Sequence, residues 1–414
     1  MPAFRFDAFA ADSTAEIRSA VRTLLADRYR DLLPDDRGSR ILLKPNLNSY
    51  MNALTGNTTD LRILTALIGF LKEAGYRNIT IGEGTNSGFY RSRISVIERL
   101  KVDRLARHFG VAVKDLNYAD PFPVEFENGV TAAVARDCVE ADLFINLPKL
   151  KTHFENGMSV CLKNLMGCLI GQENKKKTHQ ALAANILHIN GAVKPHLHLV
   201  DAVISMEGLG PTRGTPVRTG MLFAGTDPYL LDLVCAKFAS FDYRKVRTLA
   251  AAERRGIIGA EHLAFVREVK LERVFRFAPP RAGMIASFIH SPKRQKYFLA
   301  VRNTPLFNYL CSTRAVGALL FKTGLRQDVF LDGEMTCESL RLDAGRCSGC
   351  GRCARYCPLG LDLPAALPRG PDDPCLQCLY CHAVCPERAI VFTGQPGFFA
   401  EQARQYDEII RRMA

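Results

Sequence analysis

The chain has 414 residues, with 55 Lys+Arg against 42 Asp+Glu and a formal charge of +13. An apolar fraction of 47% beside 23% charged residues excludes wholesale disorder, and roughly 150 residues per domain predicts two or three domains. The apolar runs Ile63–Leu71 and Ala315–Phe321 fall far short of the roughly 18–20 residues of a spanning helix, and Asp7 and Asp12 interrupt the N-terminus. A cytoplasmic protein is expected.

In chain order the pattern alternates amphipathic stretches with short apolar runs. Thr14–Leu33 reads as a helix, Arg40–Leu43 as a buried strand, Thr59–Ala74 as a helix and Asn78–Ile81 as a strand. Ser92–His108 is again helical, Val111–Val113 extended and Asp142–Asn146 a buried strand. Leu197–Ser205 and Met221–Ala224 continue the sheet, and Pro228–Phe238 closes with a helix. This order predicts an α/β domain with a largely parallel sheet over about residues 1–260.

Ligands of such sheets bind beyond the carboxyl ends of the strands. The segments there read Lys44-Pro45-Asn46-Leu47-Asn48, Gly82-Glu83-Gly84, Leu147-Pro148-Lys149-Leu150-Lys151-Thr152-His153 and Glu207-Gly208-Leu209-Gly210. Together they predict a crevice rich in cations and donors, suited to a carboxylate or phosphate. Gly82–Gly88 misses the dinucleotide spacing and no phosphate-binding Gly-x4-Gly-Lys-Ser/Thr loop exists, so no NAD or nucleotide site is expected. No motif decides for or against a flavin. The run Lys175-Lys176-Lys177 reads as solvated surface.

Several of these residues carry a family resemblance. The stretch Asp142–His153 followed by Leu162-Lys163-Asn164-Leu165-Met166-Gly167 resembles the domain-of-unknown-function 362 family. Lys44-Pro45-Asn46, Asp201, Glu207-Gly208-x-Gly210 and Asp227-Pro228 with Asp232 are similar to it as well, over about residues 38–240. The resemblance implies an α/β domain with a site near these residues, in a family some of whose members carry a ferredoxin-like module. It supplies no substrate.

Between Glu272 and Asp328 there is no acidic residue, while ten Lys and Arg from Arg273 to Arg326 alternate with aromatics such as Phe288, Tyr297 and Phe307. Residues 261–337 therefore read as a basic amphipathic connector. Its cations are open to three uses: a solvated helical face, docking of an acidic partner, or contact with an anionic membrane. Nucleic acid is disfavoured because no recognition module accompanies it.

Eight of fourteen cysteines fall between Cys347 and Cys385, in two C-x2-C-x2-C-x3-C-P runs. This is the spacing of bacterial two-cluster ferredoxins, in which the fourth thiolate of each run reaches the other cluster. One 4Fe-4S cluster would take Cys347, Cys350, Cys353 and Cys385, and the other Cys375, Cys378, Cys381 and Cys357. A pair of zinc sites is the competing reading, and six cysteines spaced by two suit it poorly. The ferredoxin resemblance spans about 338–395 within a small α+β domain, although Leu359-Gly360-Leu361-Asp362 replaces the usual apolar strand. Residues 396–414 read as a helical tail. The other six cysteines are expected to be packing residues, with Cys161 and Cys168 standing out as a pair seven apart on one helix face.

The expected function is an iron–sulfur oxidoreductase passing electrons to or from an anionic or carbonyl-bearing small substrate in the crevice. An external low-potential donor such as a ferredoxin or flavodoxin would supply it. Lys44, Lys149, Lys151 and Lys163 would neutralise developing charge, and His153 would donate a proton. Asn46, Thr152 and Asn164 would orient the substrate, with Glu83 and Glu207 as reserve acids. The alternative is a non-catalytic electron carrier or adaptor docking a larger redox complex.

Overall fold

The computed structural model describes residues 4–49, 51–85, 95–212, 214–280, 337–370 and 373–394, with isolated positions at 304, 306, 309, 313, 316 and 407. Most of the basic connector and of the 396–414 tail thus lies outside the described residues. Strands in chain order are β1 (Phe6–Ala10), β2 (Ile41–Lys44), β3 (Ile79–Glu83), β4 (Ala112–Asp115), β5 (Pro121–Glu125), β6 (Thr131–Ala135), β7 (Leu143–Asn146), β8 (Lys149–His153), β9 (Gly157–Ser159), β10 (Leu197–Glu207), β11 (Thr215–Gly225), β12 (Ser339–Leu342) and β13 (Ile390–Thr393). The helices used below are α1 (Thr14–Thr23), α2 (Leu61–Glu73), α3 (Val96–Arg99), α4 (Val102–Phe109), α5 (Cys161–Asn164), α6 (Gly171–Thr178), α7 (Pro228–Phe238), α8 (Arg352–Tyr356) and α9 (Tyr380–Ala383).

The main sheet runs β1-β11-β10-β7-β2-β3-β4, with β8 paired to β10 and β9 to β8. From β10 through β4 the pairing is parallel, and β1-β11-β10 is antiparallel. The parallel centre follows from residue type: Ile41–Lys44 and Leu143–Asn146 are buried at every position, as strands covered on both faces must be. Sequence reading had no signal for the β5–β6 hairpin and took 147–153 as loop. The Lys-Leu-Lys-Thr-His run is instead strand β8, whose lysines are buried because other residues in the chain hold them.

Two predicted helices are interrupted. α1 starts on a reciprocal Ser13–Glu16 capping box and gives way at Leu24 to a wider turn ending at Arg28. The 92–108 prediction becomes α3 and α4, separated by Leu100 and by Lys101 in the left-handed region (φ 63°).

The cysteine module forms a β12–β13 antiparallel pair with α8 and α9, and Leu359–Asp362, directly after Cys357, forms no strand. It shares its interior with the α/β domain: Tyr356, Leu376, Tyr380, Ala383 and Val384 join one apolar core with residues of α1 and α2. Polar contacts reinforce that seam. Thr14 Oγ1 donates to Cys357 O at 3.0 Å, and Asn52 Nδ2 to Cys378 O at 3.2 Å. The Leu61 amide donates to the Tyr380 hydroxyl at 3.2 Å. Tyr356 OH donates to Asp12, which also binds Arg218 and Arg355.

Candidate functional site

Alternation along β8 places Lys149, Lys151 and His153 on one face, towards the segment that follows β2. Lys151 Nζ donates to Asn46 Oδ1 (2.9 Å), Asn48 Oδ1 (2.6 Å) and Asn57 O (2.7 Å), which uses all three of its protons. From there buried amides run in a line. Asn46 Nδ2 donates to Asn164 Oδ1 at 2.8 Å, and Asn164 Nδ2 to Asn146 Oδ1 at 2.7 Å. The structure thus brings Lys151, Asn46 and Asn164 together in one internal network.

Lys44 and Lys149 are engaged internally. Lys44 Nζ meets Glu83 at 3.0 and 3.1 Å, and that carboxylate also accepts the amides of Leu47 and Gly84. A Cβ on Gly167 would stand 1.9 Å from Glu83 Oε1 and 2.7 Å from Lys44 Nζ. The spacing Lys163-Asn164-x-x-Gly167 therefore has a steric cause: α5 ends where only glycine fits over the ion pair. Lys149 Nζ donates to Asp201 Oδ2 at 2.8 Å, which also accepts the Asp60 amide at 2.8 Å. Burial acts to raise the Asp60 carboxyl, but the bidentate Arg62 guanidinium overrides it and holds the group below the usual range. Arg62 in turn lies 4.4 Å from the Tyr356 ring centroid, at the cysteine module.

At the end of the network stand His153, itself buried, and Lys163, half-buried. His153 Nδ1 accepts the amides of Glu155 (3.1 Å) and Asn156 (3.3 Å), so the neutral ring carries its proton on Nε2. Burial, then neighbouring Lys163, pushes the imidazole pKa well below its ordinary value. The ring is therefore neutral near neutrality and offers an Nε2–H, which bears on the proton-donor role expected of His153. Lys163, half-buried with Met166 Sδ at 3.5 Å as its hydrogen-bond partner among the described residues, is brought down by burial to about 8 against the pull of Glu155. It is the group of the edge that titrates near neutral pH. Glu155 is held well below the carboxylate range by His179, 3.4 Å away, against the effect of burial.

α5 itself is seated by Asp232 on α7, which accepts the amides of Cys161 (2.7 Å) and Leu162 (3.4 Å). Burial raises this carboxyl to about 7. The folded state then binds a proton that the unfolded chain has released above pH ~4, so stability should fall as pH rises from ~4 to ~7 and level off above. Urea titrations across that window are expected to show the slope, and Asp232→Asn to flatten it.

The remaining predicted residues lie apart. Thr152 faces away from Lys151 and donates to Gly208 O at 2.9 Å, while Glu207 accepts the Ala278 amide at 2.7 Å. Lys175 is no surface residue: its ammonium holds Gly84 O, Thr85 O and Asn117 Oδ1 at 2.6–2.9 Å, and burial lowers it to about 8. Sequence reading placed Asn48 by the crevice without a role and missed Asn57, Asp60, Arg62 and Asn146; the polar cluster Asn57-Thr58-Thr59-Asp60 ahead of an apolar helix was the available signal. Cys168 is buried and contacts Cys138, not Cys161.

At the other end of the molecule the eight clustered cysteines line two hollows. Cys347, Cys350, Cys353 and Cys385 line the first, and Cys357, Cys375, Cys378 and Cys381 the second. The two motifs repeat one backbone course. Gly349 (φ 68°), Gly351 (67°) and Gly360 (69°) in the first correspond to Gln377 (54°), Leu379 (60°) and Arg388 (53°) in the second. Amides point at the sulfurs in the same way, Leu361 N to Cys357 Sγ at 3.4 Å and Ala389 N to Cys385 Sγ at 3.2 Å. Four thiols around a void, with N–H groups aimed at sulfur, suit thiolate ligation of an iron–sulfur cluster. Among the described residues no three His, Cys, Asp or Glu side chains close around a single-ion position.

Residues 41–237 match the family described as domain of unknown function (DUF362), and residues 340–360 match the 4Fe-4S binding domain. The chain carries a DUF362 domain. Its matched span contains the whole Lys44–Glu83–Lys151–Asn164 network, and the 4Fe-4S match contains the first cysteine run. A thylakoid-associated protein, sll1697 of Synechocystis sp., is 28% identical over 232 residues, 53% of this chain and 69% of that protein. The lactate racemase apoprotein from Thermoanaerobacterium thermosaccharolyticum aligns at 15% identity and a TM-score of 0.33. That match covers 53% of either chain, so this protein spans about half the length of that structure. Among the described residues no helix is long and apolar enough to cross a membrane.

Proposed function

We propose that this protein is an iron–sulfur oxidoreductase with two 4Fe-4S clusters, exchanging electrons with a small anionic or carbonyl-bearing substrate at the Lys163–His153 edge of the DUF362 domain. The observation that carries the reading is the double role of the 46–59 segment. Its Asn52 binds the backbone of Cys378, while its Asn57 carbonyl, with Asn48, holds Lys151. The cysteine module is thereby fixed against the polar network and is no loosely tethered carrier. The matching left-handed positions in both cysteine runs support two clusters with crossed fourth ligands, Cys385 to the first and Cys357 to the second.

Bound clusters would supply electrons one at a time. Lys163 would attract the substrate anion and deliver a proton, since its pKa of about 8 makes it a competent acid near neutrality. The Nε2–H of His153 would orient a carbonyl or carboxylate oxygen. Lys151, Asn46 and Asn164 position that pair, and Lys44 with Lys149 form the charged framework beneath. Cys350 is exposed and Cys347 half-exposed, which favours the first cluster as the place where an external ferredoxin or flavodoxin hands over electrons. Such a protein would work in the cytoplasm, with contact to a membrane through 273–326 as a further part of the proposal.

Stopped-flow oxidation of dithionite-reduced protein by candidate oxo-acids tests this. Lys163→Met should slow single-turnover cluster oxidation by about 10²–10⁴-fold with iron content intact. The carrier or adaptor reading draws support from the internal saturation of Lys44, Lys149 and Lys151. It would prevail if Lys163→Met left electron transfer to an acceptor protein unchanged and no small molecule oxidised the clusters.

A further inference from the structure

The two hollows of the cysteine module differ in their charged members. Among the described residues, exposed Glu387 is the charged side chain lining the first, and Arg369 the one lining the second. Arg369 belongs to the connection between the two cysteine runs, and both its backbone and its side chain are fixed. Its amide donates to Leu340 O at 2.8 Å and its carbonyl accepts the Leu340 amide at 2.9 Å, which pins it to β12. Its Nη1 donates to the Asp373 carboxylate, four residues on, and the side chain is largely buried.

Arg369 Nε is buried and has no hydrogen-bond partner among the described residues. The other buried donors of the module in that position, Arg352 Nη1 and Gln377 Nε2, belong to residues that line neither hollow. An N–H left unpaired away from water is costly, so native structures bring an acceptor to it. In a hollow walled by leucines and four thiols, sulfur is the acceptor at hand. Burial pushes the Cys375 thiol up, and Arg369 and Arg104 draw it back, so the guanidinium lies within electrostatic reach of that sulfur. The leucines also keep the surroundings apolar. One cation acts there far more strongly than the solvent-screened Glu387 acts on the first hollow.

We infer that Arg369 raises the reduction potential of the second cluster, its Nε–H donated to a thiolate or sulfide of that cluster. The inference rests on the two-cluster reading proposed above. Reduction adds one electron, supplied by the external low-potential donor; no covalent bond forms or breaks, and the guanidinium keeps its proton. The added negative charge meets a cation already in place, so the second cluster holds the electron more tightly than leucines alone would let it. Cys378 and Tyr380 of this cluster's loop contact Asn52 and Leu61 of the DUF362 domain. Arg369 thereby draws electrons from the first cluster, where Cys350 is exposed, inwards to that seam.

The test is a potentiometric dithionite titration of the anaerobically purified full chain, followed by electron paramagnetic resonance and preceded by iron and sulfide analysis. Arg369→Gln should weaken the electron affinity of one cluster about tenfold, a fall of about 59 mV for one electron, and move the other less than twofold. The shift should persist in a Cys385→Ala background, which keeps the second cluster, and vanish in Cys357→Ala. Arg369→Lys keeps the charge and loses the Nε–H, so its potential should fall between those of the parent and Arg369→Gln. It carries the test if Arg369→Gln assembles no second cluster. Equal movement of both clusters, or a shift under twofold in Arg369→Gln at the parent's iron content, would overturn the role of Arg369. A lysine variant that matches the parent would overturn the hydrogen bond. A colourless parent without sulfide would overturn the cluster reading and this inference with it, whereas an iron-replete parent whose potentials ignore Arg369 overturns the inference alone.

Discussion

Replacing Cys357 by alanine is expected to remove the cluster associated with the other cysteine run, Cys375–Cys381, and to spare the one beside its own. Cys357 lines the void of Cys375, Cys378 and Cys381, whereas Cys385 lines that of Cys347, Cys350 and Cys353. Iron per chain should fall from about eight to about four atoms, and the mirror variant Cys385→Ala should lose the opposite half. Resonance spectra of the two variants should then sum to that of the parent. Loss of both clusters in both variants would point to a single co-operative site. A content of about two zinc atoms without sulfide in the parent would restore the zinc reading.

Asp201→Ala carries the largest expected effect on stability. It strands the Lys149 ammonium at a fully buried position and removes the acceptor of the Asp60 amide at the start of α2. Breaking one partner of a buried pair costs about 3–5 kcal/mol, because the remaining charge has no water to turn to. The double change Asp201→Leu with Lys149→Met should recover most of that loss, since it removes the uncompensated charge together with its partner. Chemical denaturation of the four proteins of this cycle measures it. A single-variant loss below about 1 kcal/mol would show that the site lets water in.

What was legible in the chain was what local chemistry fixes. Cysteine spacing is a covalent ruler, so both runs could be read at once and the structure groups their thiols in the crossed arrangement. The central strands were legible because Ile41–Leu43 and Leu143–Ile145 are short, fully apolar runs that only a doubly covered sheet accommodates. β8 was hidden because three of its five side chains are Lys or His, and nothing local reveals that Asn46, Asn57 and Asp201 will receive them. The network was legible in its members and not in its roles. Lys44 and Lys149 look like substrate cations until Glu83 and Asp201 arrive from elsewhere in the chain. In the function proposed above Lys163 and His153 exchange their expected duties, because burial acts on each in a way that no linear pattern records. Lys175 was misread because three consecutive lysines look solvated, although a helix turns one of any three towards what it packs on.

If the cysteine loops hold the clusters proposed above, the apolar core that α1 and α2 share with their tyrosines would tie the lifetime of the whole polypeptide to metal supply. Loops that wrap a cluster are held in shape by it, and here the same loops cover leucines of the first two helices. A chain made under iron starvation would expose that greasy seam to proteases, so scarcity would be felt as missing protein and not as a pool of idle, refillable apoprotein.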